Sequence, residues 1–443
     1  MSTAIDRRAF AAPADLGRNL LAETGFAIFL LLIFIGLKPF ANRDQSILPL
    51  GDSGTGAGDV WRQITYLGAF VFIAAGAWQR CGTRVLFAVP PVLGLLLLWC
   101  LATSFWAVEP AVTMRRAGLE IVIVLSTMLG VQALGAERAC VFLRCVLGAV
   151  LIVNWVSIPL VHQAVHLSDE ADPALIGNWR GLYFHKNIAG AVSAITAILF
   201  LFEALRTRRW THWLLFAAAV LFTVMTRSKS SLGLLPVAVL AGLAYGYLRR
   251  KSLDVWILAT AGGLLVAAAA LAALVDFHAI TRFLTDPTEL TGRVAIWQGE
   301  FGFIRDHPLL GAGFGSFADT GALSPLYNYV ADRWVQGEAH GHNAYLQLCV
   351  TIGGVGFALA MMAFILQPAL AFMRVEQRDQ LRFFAPLFAL FVFIVLHNFV
   401  ESDYLEGDGP AWVVFVLVLA CLRPNPRPET ARPAARRLQW VAP

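Results

Sequence analysis

Residues 188–250 read IAGAVSAITAILFLFEALRTRRWTHWLLFAAAVLFTVMTRSKSSLGLLPVAVLAGLAYGYLRR. Three apolar runs, near 188–205, 211–225 and 231–248, are parted by two short basic turns, RTRRWTH and TRSKSS. Charge inside hydrocarbon is costly, whereas an apolar run of roughly 20 residues can cross it as a helix. The turns therefore mark the two surfaces of a membrane, and the runs between them read as spans.

The same alternation extends outward in both directions. Further spans are expected near 24–40, 62–79, 87–105, 117–134, 139–161, 254–275, 343–373, 383–400 and 411–422. This predicts an all-α integral membrane protein of about 12 transmembrane helices. The chain divides into an N-terminal segment 1–23, helices one to nine over 24–275, a large loop 276–342, three more helices over 343–422, and a Pro- and Arg-rich tail 423–443. With 58% hydrophobic and 14% charged residues, a soluble domain of this size could not hide its apolar surface. The first apolar run continues to Lys38 without a small-residue cleavage site, so no cleavable signal peptide is expected.

Basic clusters at Arg7/Arg8/Arg18, Arg80/Arg84, Arg206/Arg208/Arg209, Arg249/Arg250/Lys251 and Arg374/Arg378/Arg382 fall on one side of this topology, together with the tail. Basic loops stay in the cytoplasm, so both termini are expected inside. The six cysteines (81, 100, 140, 145, 349 and 421) are scattered outside the long loops, which argues against a disulfide framework. No basic-aromatic platform or DNA-reading helix is visible, so nucleic acid is not an expected partner.

Two segments on the opposite side are long enough to hold chemistry, His162–Asn187 and 276–342. In the second, Val294, Ile296, Trp297, Phe301 and Ile304 follow the period of an amphipathic helix, with Thr291 as N-cap and Asp306-His307-Pro308 as its end. The run GAGFGSF at 311–317 then predicts a tight turn. It has no strand before it, so it does not read as a dinucleotide fingerprint. Polar residues gather on this side: Arg180, His185 and Lys186 in GNWRGLYFHKN, Arg227 and Lys229 in TRSKSS, Arg293, then His340, His342 and Asn343 in EAHGHNAYLQ. Such groups either snorkel to headgroups or line a pocket for an anionic, lipid-linked substrate. Glu401, Asp403, Glu406 and Asp408 form an acidic loop expected to be mostly solvated, with Glu401 available to pair with an arginine. Trp179, Tyr183, Phe184, Trp297, Tyr327, Tyr329, Trp334 and Tyr345 fit an interfacial belt. His162 and His166, four apart and followed by Asp169, Glu170 and Asp172, lack a closed ligand set, so no metal site is assigned.

The stretch 292–356, GR…W…F…I…HPLLGAGFGSF followed by HGHNAYLQ…IGGVG, resembles the signature region of the O-antigen ligase and Wzy-type polysaccharide polymerase superfamily. RGLYFHKNIAG at 180–190 is similar to its exopolysaccharide polymerase branch, and TRSKSSL and HNFVESDYL resemble further elements. Thr351 departs from a position that is often acidic in relatives.

The resemblance implies a GT-C-like fold with short helices in a large periplasmic loop. It implies a multi-pass enzyme of the bacterial inner membrane whose active site faces the periplasm. The activity implied is transfer of a glycan from undecaprenyl pyrophosphate to a sugar hydroxyl, without a cofactor or metal. The implied partners are that lipid-linked donor, an acceptor (a second lipid-linked glycan or lipid A-core), membrane lipids, and a chain-length regulator where one exists. The match with RGLYFHKN favours polymerisation of surface-polysaccharide repeat units over ligation. By the same resemblance His342 is the general base, oriented by Asn343. Arg180 and Arg293 stabilise the departing pyrophosphate, and Lys186, His185, Arg227, His340 and Glu401 bind substrate, with Lys229 a further cation. A transporter of lipid-linked glycans is the reading from a different class. The two halves of the chain show no repeat of the kind many transporters carry.

Overall fold

The computed structural model describes residues 19–41, 60–168, 170, 173–250, 293–318, 320, 323–330, 341–375 and 378–423. The ninth expected span, the Thr291 cap, His340, Asp169, Asp172, Trp334 and the tail lie outside the described residues. Among the described residues all regular structure is helical. The helices are α1 (Leu20–Ile35), α2 (Val60–Cys81), α3 (Pro91–Ala102), α4 (Pro110–Leu134), α5 (Ala136–Leu160), α6 (Lys186–Thr207), α7 (Trp210–Thr226) and α8 (Lys229–Arg250). They continue with α9 (Arg293–Asp306), α10 (Ala344–Met373), α11 (Arg378–His397) and α12 (Pro410–Cys421). Seven of these, α2, α4, α5, α6, α8, α10 and α11, are long and apolar enough to cross a membrane, while α1, α3, α7 and α12 are apolar but shorter. The chain is a multi-pass helical membrane protein.

Local chemistry fixes the helix ends. Asn19 caps α1 by accepting the Ala22 N–H at 3.1 Å. The helix stops at Ile35 rather than near residue 40, because Gly36 turns the backbone left-handed (φ 74°). The short α12, roughly 18 Å at 1.5 Å per residue, is buried on every side and forms the centre of the bundle. Trp412, Phe415, Phe364 and Tyr404 pack there as one aromatic cluster, with ring centroids 5.0–6.3 Å apart.

The span expected as one continuous helix at 343–373 is interrupted. Gly353 in α10 has φ 67° and ψ −178°. The break frees backbone groups that hydrocarbon cannot satisfy. The 308–313 loop threads in and pairs them: Ala312 N–H donates to Val350 O at 2.8 Å and Gly313 N–H to Thr351 O at 2.9 Å. In return, Gly354 N–H donates to Pro308 O at 2.9 Å and Val355 N–H to Leu309 O at 3.4 Å. Trp99 Nε1 takes the Ile352 carbonyl at 3.0 Å. The glycine-rich run is thus a backbone plug for a broken helix. Thr351, 4% exposed, bonds back to Gln347 O within this joint rather than facing the polar cluster described below.

Helix α9 lies across the start of α10. Its buried face is Val294, Ile296, Gly299, Glu300 and Phe303, whereas Phe301, expected inside, is 57% exposed. Phe303 instead packs on Phe317 and Tyr329, with centroids 4.9 and 5.8 Å away.

Candidate active site

Four segments meet at one end of the bundle: the 180–187 turn before α6, the start of α9, the 341–343 turn before α10, and the 398–409 loop between α11 and α12. Glu401 lies at their junction. Its Oε1 accepts from Arg293 at 3.0 Å and from Asn187 Nδ2 at 2.7 Å, and its Oε2 sits 3.2 Å from His342 Nδ1. Arg293 also donates to the Val400 carbonyl. Burial raises the Glu401 carboxyl, but the hydrogen bond and charge of His342, with Arg293 behind them, outweigh it and hold the group down to about 2. Glu401 is therefore an anion at neutral pH, and His342 Nδ1 is the donor to it. The basic nitrogen of His342 is then Nε2, on a side chain that is 27% exposed.

His342 stands in the left-handed region at φ 49°, uncommon for a residue other than glycine. Asn343 ends the turn by capping α10: its Oδ1 accepts from Tyr345 N–H at 3.0 Å and Leu346 N–H at 3.2 Å. It acts on the helix start rather than on the imidazole. The Ala344 N–H reaches the carbonyls of Asn398 and Glu401 at 2.9 and 3.1 Å, so the two loops are stitched together.

Two further elements bring cations alongside. Gly190 of α6 sits so close to the α7–α8 turn that a Cβ there would meet Ser228 Cβ at 2.6 Å. Arg227 and Lys229 flank Ser228 on that turn and are exposed, while Lys186 is half-buried next to Asn187. His185 caps α6, its Nδ1 accepting the Asn187 N–H at 3.2 Å. Burial pushes His185 down to about 4 despite the nearby Glu401 carboxylate, so the ring is neutral and free to accept. Its folded value is below the unfolded value near 6.5, so the stability this cap contributes is full above that value and is lost as pH falls toward about 4. The melting midpoint of the purified protein should fall across that window, and His185→Asn, a cap that does not titrate, should flatten the fall. An unchanged slope in the variant would remove His185 from the account.

Arg180 occupies a different place from the one expected. It is 2% exposed, and its guanidinium donates to the Gln163 carbonyl at 2.6 Å and the Phe184 carbonyl at 3.0 Å. It organises the 162–185 segment from behind. His166 continues that scaffold: Nδ1 meets Glu170 Oε1 at 2.6 Å, and Nε2 accepts the Lys186 N–H at 3.2 Å. Both its ring nitrogens are engaged within the protein. Among the described residues no group of three His, Cys, Asp or Glu is placed to hold a metal.

The acidic loop is not a solvated strip. Asp403 bonds His397 Nδ1 at 2.7 Å, and His397 Nε2 faces Ser231 Oγ at 3.4 Å. Asp408 takes a two-pronged pair from Arg62 and the Tyr66 hydroxyl at 2.9 Å. Glu120 of α4 accepts from Gly407 N–H at 2.9 Å and from Trp412 Nε1 at 2.6 Å. Helices α2, α4 and α11 thus clamp the loop that presents Glu401. The sequence reading gives no role to Asn187, His397 or Arg62, and takes Asp403 and Asp408 as solvated members of the acidic loop. Their partners are too distant along the chain to be matched by spacing.

None of the curated proteins compared with the chain matches it. A protein-family model described as O-antigen ligase matches residues 214–361, from within α7 to the middle of α10. That stretch contains Arg227, Lys229, Arg293, His342 and Asn343, whereas Arg180, His185, Lys186 and Glu401 lie outside it. Over residues 214–361 the chain matches the O-antigen ligase family, which supports the O-antigen ligase and Wzy-type superfamily that its motifs resemble.

Proposed function

We propose that the chain is a GT-C-like glycosyltransferase of about 12 spans. It transfers a glycan from undecaprenyl pyrophosphate to a sugar hydroxyl on the periplasmic face of the inner membrane, polymerising repeat units of a surface polysaccharide. The observation that carries this reading is the His342–Glu401–Arg293 constellation. A carboxylate fixed on one ring nitrogen leaves the other as a base, the arrangement needed to take a proton from an attacking hydroxyl. Glu401 also stabilises the imidazolium that forms, and Arg293 and Asn187 keep Glu401 in place. Departure of a lipid pyrophosphate builds negative charge, which Arg227 and Lys229, both exposed, with Lys186, would meet in place of a metal. The α6 N-terminus beside them adds its positive dipole end. Arg180 supports the turn that carries Lys186.

Ligation to lipid A-core is a second reading, favoured by the description of the family that matches residues 214–361. The deciding experiment gives purified protein an undecaprenyl-pyrophosphate oligosaccharide with no lipid A-core and resolves the products on a gel. A ladder of lengthening lipid-linked chains is expected. Absence of a ladder, with conjugation once lipid A-core is added, would assign ligation. Absence of both in folded protein would overturn glycosyl transfer.

A further inference from the structure

Arg293, Trp297 and Glu300 are spaced four and three residues apart, so they share one face of α9. All three bear on the His342 turn. Arg293 holds Glu401, and Trp297 Nε1 donates to the Gly341 carbonyl at 2.7 Å. The Glu300 carboxyl lies where a Cβ on Gly341 would project, so it packs directly on the Gly341 α-carbon. Glu300 is 1% exposed, and among the described residues its Oε2 has no hydrogen-bond partner. Burial raises the carboxyl to about 8. Among the described residues the groups facing it are the Cys349 thiol of α10 and the Gly341 backbone. On its own helix Arg293 is two turns away and committed to Glu401.

We propose that Glu300 is a positioning residue for His342: a neutral carboxylic acid that seats the Gly341–His342 turn, and whose loss of a proton unseats that turn and stops transfer. A partnerless buried charge has to reach water, and the group packed against this one is Gly341. The proposal rests on His342 as the base. It adds that the base is held by α9 at two points, the Gly341 carbonyl and the Gly341 α-carbon, and that one of them titrates.

The folded value lies above the ordinary carboxyl value, so the stability Glu300 confers is full at acid pH and is lost as pH rises toward about 8. The test uses full-length protein and measures both melting midpoint and transfer rate from pH 5 to pH 9. One unit above its titration point about a tenth of Glu300 keeps its proton, so the parent's transfer should fall roughly tenfold between pH 7 and pH 9. Glu300→Gln, with the same shape and no titration, should flatten both curves. A melting curve unchanged by the substitution overturns the buried acid. A flattened melting curve with the parent's alkaline loss of transfer overturns the positioning role.

Should the Gln variant not fold, the test moves to Gly341→Ala, whose methyl group collides with Glu300 and should abolish transfer. Adding Glu300→Ala should restore the melting midpoint and transfer, and absence of restoration in both overturns the proposal. His342→Ala measured alongside separates the two ideas. Full activity there sinks the base assignment, while the melting curves still report whether Glu300 seats the turn.

Discussion

Replacing His342 by alanine is expected to lower transfer by about 10²- to 10⁴-fold while the protein remains folded in the membrane, the range a positioned general base contributes. The expectation rests on which nitrogen is available. Glu401 is an anion held at about 2, so it binds the Nδ1 proton and leaves Nε2 as the base. His342→Asn is the informative companion, because asparagine tolerates the left-handed backbone at φ 49° yet cannot take the proton. If alanine and asparagine are equally inactive and both melt like the parent, the loss is chemical. Near-normal transfer by either would remove His342 from the mechanism. Glu401→Gln should also lose most of its transfer, since the amide keeps the shape but drops the charge that stabilises the imidazolium and can hold the wrong tautomer of His342.

Among the described glycines, Gly353→Ala should have the largest effect on stability. The position combines two costs. Its φ and ψ lie in a region essentially reserved for glycine, and a Cβ there would overlap the Leu309 carbonyl. Strain and overpacking each cost of order 1–3 kcal/mol, so a loss of at least about 3 kcal/mol is expected, read as a collapse in folded yield and melting midpoint in detergent. Gly68→Ala supplies the control. It sits in α2 with open space where its Cβ would go, and alanine should be neutral or stabilising by up to about 1 kcal/mol. If the two variants behave alike, the break in α10 is not what holds the 308–313 loop.

These two residues differ in how far the sequence revealed them. Apolar runs and basic turns expose a membrane architecture directly, because the bilayer penalises charge wherever it falls. His342 and Arg293 were legible as polar residues beside spans, and a resemblance gave them roles. That Glu401 would pair with an arginine was also legible, but that His342 shares the same carboxylate was not, since residues 293, 342 and 401 are brought together only by the packing of α9, α10 and α11. Arg180 shows the opposite failure. In sequence it reads as a cation lining a substrate pocket, but its guanidinium turns inward to the carbonyls of Gln163 and Phe184. The acidic run 401–408 looked solvated because its partners are not announced by spacing: Arg62 and Tyr66 sit on α2, hundreds of residues away, and His397 at the end of α11. The glycines of GAGFG and IGGVG were visible, yet glycine is ordinary in membrane helices, so nothing local announced that one run plugs a gap in the other.

The clamp on the 398–409 loop bears on how this kind of protein can be recombined. The family-matched segment 214–361 contains His342 but not the carboxylate that orients it. That carboxylate in turn depends on anchors at Arg62, Tyr66 and Glu120, more than ninety residues ahead of the segment's first residue. A chimera that exchanges only the matched segment with a relative would transplant a base into a foreign cradle. Exchanges that respect the chemistry need to move α2, α4 and the 398–409 loop together with the matched segment, or leave all of them in place.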